Sequence, residues 1–186
     1  MRQRCYAART LVPMARQPIP RQGSEQETLV AFLDYYRELL TDKASGLSDE
    51  QLHTRLEPSS LTLGGIINHM AVVEDDWFGG DFLGQPLPEP WASAPWDEDR
   101  DWELNSAHEV PTEELFDRYR RAIARSREIV AGVQDLGELG KRIPADGEAF
   151  SMRWILVHMI EETARHCGHA DFIRESLDGE VGDFRD

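Results

Sequence analysis

Apolar residues recur every three or four positions through four long stretches of the chain, the spacing of helices that bury one face. In the first, Leu29, Phe32, Leu33, Tyr36 and Leu40 follow Ser24 and Glu27, a pair spaced to satisfy each other's free backbone N–H at a helix start. This predicts a helix over about 25–43, ended by Gly46, with a short turn after Ser48 closed in the same manner by Gln51. A second helix has Ile66, His69 or Met70, Val73 and Trp77 on its inward stripe. Pro111 and Thr112 open a third, with Leu115, Tyr119, Ile123, Val130 and Val133 inward, and "LGELGK" breaks it. Ser151 caps the fourth, which stops near Gly179 and carries Ile155, Met159, Glu162, His166, Ala170, Ile173 and Leu177 on one face. No alternating apolar run is long enough for a sheet. The pattern predicts an all-α chain, a four-helix bundle with a long crossover loop between helices 2 and 3.

That crossover, of about 30 residues, is rich in Pro, Gly and Asp and has no sustained period. It contains Trp91, Trp96 and Trp102, which are costly to leave in water and must fold onto a neighbouring surface. Two readings follow: aromatic plugs closing one end of the bundle, or a wall over a pocket.

Composition narrows the partners. With 35 acidic and 20 basic side chains the formal net charge is −15, which repels a phosphate backbone, so no nucleic acid is expected. No apolar run reaches the roughly 18 residues needed to cross a bilayer, so no membrane partner is expected either. Two cysteines, Cys5 and Cys167, give no disulfide framework, and a cytoplasmic location is the expectation. Residues 1–22 hold five arginines and no acid, which suggests a disordered tail or a start assigned too early, leaving 23–182 as the bundle.

The fourth helix raises the chemical question, because Glu162 and His166 interrupt an otherwise apolar stripe. Four residues apart, they lie only ~40° round the helix and ~6 Å along it, so both side chains can reach one point. A carboxylate facing a core needs a cation or hydrogen-bond donors beside it. His69 on the second helix can meet the pair across the bundle, giving three metal ligands with positions left open. A hydrogen-bonded core histidine and a helical ion pair are the plainer alternative. His158 and His169 share the broad face and compete as ligands, Cys167 is turned away and reads as a small packing residue, and Asp76 is placed to orient a ligand histidine.

"GGIINHMAVVEDDWF" together with "LVHMIEETARHCGHADFIRE" resembles the DinB-like superfamily of four-helix metal proteins, in particular its mycothiol-dependent, maleylpyruvate isomerase-like branch of actinobacteria, over about 25–180. The resemblance implies a divalent metal, zinc or else nickel, held by His69, Glu162 and His166, with no catalytic nucleophile. It implies mycothiol as the thiol co-substrate, and the same analogy suggests a homodimer. The isomerase carries a further domain after the bundle, so single-bundle relatives, which transfer a low-molecular-weight thiol onto electrophiles, are the better guide.

Two imidazoles and one carboxylate leave a bound divalent zinc with one net positive charge, which a thiolate neutralises. Coordination lowers a thiol pKa of ~8.5 below neutrality. The expected function is therefore a metal-dependent thiol S-transferase acting on a small-molecule thiol and an electrophile. The alternatives are a non-catalytic metal- or partner-binding stress module and a metal-assisted hydrolase.

Overall fold

The computed structural model describes residues 18–145 and 147–182, and is all-α over them. The expected tail falls largely on residues 1–17, outside the described residues. The chain runs through α1 (Glu25–Ala44), α2 (Asp49–Leu52), α3 (Leu63–Glu74), a π-helical segment (Asp75–Phe82), α4 (Trp102–Asn105), α5 (Thr112–Gly132) and α6 (Met152–Asp178). Short 3₁₀ turns at Trp91–Ser93 and Ser106–Glu109 break up the crossover. An isolated bridge from Leu139 to Ser151 is the only extended pairing among the described residues.

Local chemistry sets the ends of these helices. Ser24 and Glu27 form the reciprocal cap of α1, and Ser48 and Gln51 do the same for α2. Ser151 accepts the backbone N–H of Trp154 at the start of α6, and Gly179, left-handed at φ 79°, ends it. The C-terminus of α1 is met by Arg174 of α6, whose guanidinium donates to the carbonyls of Lys43 and Ser45 at 3.0 and 2.8 Å.

Helix α3 lies at the centre, against α5, α6 and α1, while α1 packs mainly on α6. Its Ile66, Ile67, Met70 and Ala71 are fully enclosed, facing Leu33 and Leu40 of α1, Leu115 and Tyr119 of α5, and Ile155 and Met159 of α6. Two departures from the apolar pattern matter. Phe32, on the expected stripe of α1, is 38% exposed, whereas Arg37, on the row that includes Leu33 and Leu40, is buried. Arg37 donates to both oxygens of the enclosed Glu74 carboxylate at 2.7 and 2.5 Å, and Ser126 of α5 donates to the same group at 2.6 Å. This pair ties α1, α3 and α5 through the core.

The second departure is the change of pitch after Glu74. From Asp75 the helix widens, and Leu83 donates to the carbonyl of Phe78, five residues back, at 3.3 Å. Asp75 is drawn sideways by Arg125 and the Trp91 indole, and Asp76 by Arg142, while Gly79 and Gly80 offer little resistance to the distortion.

Candidate metal centre

His69 sits in the middle of α3 and projects toward α6, where Glu162 and His166 occupy successive turns of one face. Their ligand-capable atoms all lie within 4.8 Å of one another. The Nε2 atoms of His69 and His166 stand 3.7 and 3.2 Å from the same oxygen of Glu162, and the two rings are 4.9 Å apart between centres. The cluster is recessed but reachable: the side chains retain 21% exposure at His69, 15% at Glu162 and 10% at His166.

A fourth group holds the first. Glu103, the second residue of α4, is buried and accepts the Nδ1–H of His69 at 2.8 Å. Its placement depends on α3 as well. Asn68, fully enclosed beside His69, donates to the backbone carbonyl of Glu103 at 2.7 Å, and Arg118 of α5 donates to the Asn68 side chain at 3.3 Å. A Cβ on Gly65 would stand 3.2 Å from the Leu104 carbonyl, so glycine is what lets α4 lie this close to α3. Glu103 directs Nε2 of His69 toward Glu162 and fixes the tautomer, the arrangement that orients metal-binding histidines.

The electrostatics follow from this crowding. Burial disfavours a charged His69, but the hydrogen bond to Glu103 and then the neighbouring Glu162 carboxylate override it and raise its pKa to about 9. Glu162 is held well below the usual carboxylate range, first by the hydrogen bond from His166 and then by the His69 imidazole close beside it. The donor set suits a divalent cation. Two neutral imidazoles and the Glu162 carboxylate face the site, Glu103 behind His69 adds a second negative charge, and atoms bound to one ion at ~2.0–2.2 Å stand ~3–3.6 Å apart, a small contraction from the present spacing. Without a cation, a proton on His69 serves the same electrostatic need.

The remaining sequence expectations resolve clearly. His169 is exposed, its ring set edge-on to His166 at 5.3 Å, and burial followed by the charge of His166 lowers its pKa. His158 lies two turns before His166, between Trp154 and Trp77, with Glu161 3.6 Å away. Cys167 is buried, its thiol donating to the Tyr36 carbonyl at 3.4 Å, as a packing residue does. Asp76 does not orient a histidine; it accepts from Arg142 at 2.7 Å, because the π segment carries it away from the face of His69. Glu103 takes that role. It was not legible because it lies in a stretch without period; the local signal was the acid within "WELN", a helical turn beside Trp102.

The crossover tryptophans point inward. Trp91 is 2% exposed, with its N–H on Asp75 at 3.1 Å, and Trp96 donates to the Trp91 carbonyl at 2.9 Å. Trp102 meets both rings edge-on, at 6.4 and 6.0 Å. They pin the loop segment that carries Glu103.

Comparison with known proteins identifies the family of the chain. No curated protein matches the sequence. Among solved structures, a conserved protein from Enterococcus faecalis superposes with a TM-score of 0.63 at 16% identity, covering 86% of this chain and 100% of that one, which shows a shared fold. The family model described as mycothiol-S-transferase matches residues 28–179. That match spans most of the chain, including all three clustered residues and Glu103, and the protein belongs to the mycothiol-S-transferase family.

Proposed function

We propose that the protein is a metal-dependent thiol S-transferase that activates mycothiol for attack on electrophiles. The observation that carries this reading is the convergence of His69, Glu162 and His166, with Glu103 behind His69. His69 and His166 would hold a divalent cation, zinc or nickel, through Nε2, and Glu162 through a carboxylate oxygen. When bound, the cation supplies Lewis acidity that lowers the pKa of the co-substrate thiol. Glu103 keeps the proton of His69 on Nδ1 and so keeps Nε2 available. Glu162 limits the positive charge of the site, and Arg165, 3.4 Å from its other oxygen, gives that carboxylate a partner at the solvent side. In the transfer the sulfur's electron pair forms the new C–S bond, the thiol proton passes to solvent, and the electrophile's leaving group departs with its bonding pair.

No helix among the described residues is long and apolar enough to cross a membrane. A cytoplasmic setting, where low-molecular-weight thiols stay reduced, fits this chemistry. The test is conjugation of mycothiol to a haloarene, with cysteine and glutathione as controls, before chelation, after it, and after zinc or nickel is restored. The reading requires turnover to fall on chelation and return with metal. Metal binding with no turnover for any thiol would favour the non-catalytic module.

A further inference from the structure

Opposite seams of the bundle differ in how they are filled. Helices α1 and α6 pack closely, as do α3 and α5, and the seam between α3 and α6 holds the His–Glu–His cluster. The remaining seam, between α1 and the C-terminal half of α5, stays open around a cavity of about 420 Å³. Long polar side chains bridge it: Gln26 donates to the Val130 carbonyl at 3.2 Å, and Arg127 donates to Asp34 at 3.1 Å, eight residues and ~12 Å further along α1. Between the bridges the walls are apolar, made by Val30 and Leu33 of α1, Val130 and Ala131 of α5, and Leu156 of α6. None of the metal-cluster residues lines it.

The inner end of this cavity is charged and incompletely bonded. Arg37 lines it at 3% exposure, whereas Asp34 and Arg127 stand nearer solvent, at 26% and 49%. A guanidinium carries five N–H donors. Arg37 directs two of them to Glu74 and one to Asp34, at 2.9 Å, and the other two have no acceptor among the described residues. Buried donors of this kind call for an oxygen acceptor. The charges, by contrast, are already matched. Arg37 and Arg127 face Glu74 and Asp34, and both oxygens of Asp34 accept from Arg127. An added anion would meet two carboxylates and the field of a chain with net charge −15, while an added cation would find donors rather than acceptors at the inner end. The volume falls within the ~300–1,000 Å³ of pockets that enclose small organic ligands.

We propose that the α1–α5 seam is a second small-molecule site, for an uncharged, largely apolar compound that carries one oxygen acceptor, such as a ketone, ester or amide carbonyl. The apolar body lies between the α1 and α5 walls over Leu156, and the carbonyl accepts from Arg37 at the inner end. Because the lining leaves out His69, Glu162 and His166, this binding needs no metal and does not depend on the transferase reading. The ligand joins two helices that otherwise meet through polar bridges, so its binding also stabilises the fold.

The test uses the full chain and 6-propionyl-2-(dimethylamino)naphthalene, an uncharged ketone whose emission moves to the blue in apolar surroundings. Fluorescence titration is expected to show saturable, one-to-one binding with that shift. Two analogues of the same skeleton test the chemistry. Replacing the propionyl group by propyl removes the acceptor, replacing it by carboxylate adds a charge, and each change weakens binding about tenfold. Val30→Phe and Ala131→Leu, which extend opposite walls into the cavity, each weaken the ketone about fivefold or more, with circular dichroism reading the fold. The two substitutions lie on different helices, and Ala131 is exposed, so one decides if the other unfolds. Chelation, added zinc and His166→Ala leave the affinity within about twofold. Absence of saturable binding overturns the site, and so does unchanged affinity in the folded variants. Equal affinity for the propyl analogue or the carboxylate overturns the chemistry ascribed to Arg37. Loss of binding on chelation, or one ketone bound per two chains, overturns the assignment to this seam.

Discussion

Glu103 accepts the Nδ1–H of His69 at 2.8 Å across 34 residues of chain, a contact that joins the crossover to the centre of the protein. It fixes which nitrogen of His69 faces Glu162 and adds the second negative charge that matches a divalent cation. Removing that charge in Glu103→Gln is expected to weaken zinc affinity about 10- to 100-fold, with the helical fold retained. Competition with a chromophoric chelator measures the first and circular dichroism the second. Unchanged affinity would mean that Glu103 does not support the site.

The same carboxylates set a pH dependence in the metal-free protein. His69 is raised from an ordinary 6.5 to about 9, so its contribution to stability is complete below pH 6.5 and is lost as pH rises through 9. The amount is on the order of 3 kcal/mol. Urea unfolding of the metal-free chain between pH 6 and 9.5 should show the decline, and Glu103→Gln should flatten it. Metal binding at pH 7.5 should release close to one proton, read by calorimetry in buffers of differing ionisation enthalpy.

The core ion pair gives a prediction about stability alone. Arg37 and Glu74 are both enclosed, so Arg37→Ala strands a buried carboxylate and should cost about 3–5 kcal/mol. Replacing both residues with apolar ones of similar size should recover much of the loss. Thermal unfolding of the single and double variants checks this.

Trp91→Ala should also act through the fold, costing about 3–5 kcal/mol as a cavity opens under the crossover. Because Trp91 and Trp102 anchor the segment bearing Glu103, metal affinity should fall in the same variant. A large fall in affinity without loss of melting temperature would contradict the plug reading and restore the crossover as a wall over the site.

What the sequence disclosed, and what it hid, follows one physical division. Ile155, Met159, Glu162 and His166 were legible because a helix projects its period directly onto the chain, and a polar residue breaking that period stands out. The caps at Ser24, Ser48 and Ser151 were legible because capping is local. Glu103 was not, since its position depends on Trp91, Asn68 and the bare backbone at Gly65, none of them near it in sequence. Arg37 lay on a buried row but is polar, and only its partner Glu74, 37 residues on, explains its burial. The π segment was hidden for the same reason: it depends on Asp75 and Asp76 being held by Arg125 and Arg142 of later elements. That shift of pitch is also why Asp76 is not behind His69.

The proposed chemistry stands on His69, Glu162 and His166 holding a metal that takes a thiol as a further ligand. X-ray absorption at the zinc edge of the purified holoprotein reads that ligation itself. The expected spectrum has a shell of nitrogen and oxygen ligands at ~2.0–2.2 Å and gains one sulfur at ~2.3 Å on adding mycothiol, with both features lost in His166→Ala. A zinc shell that gains no sulfur from any thiol, or one that persists in His166→Ala, would contradict it.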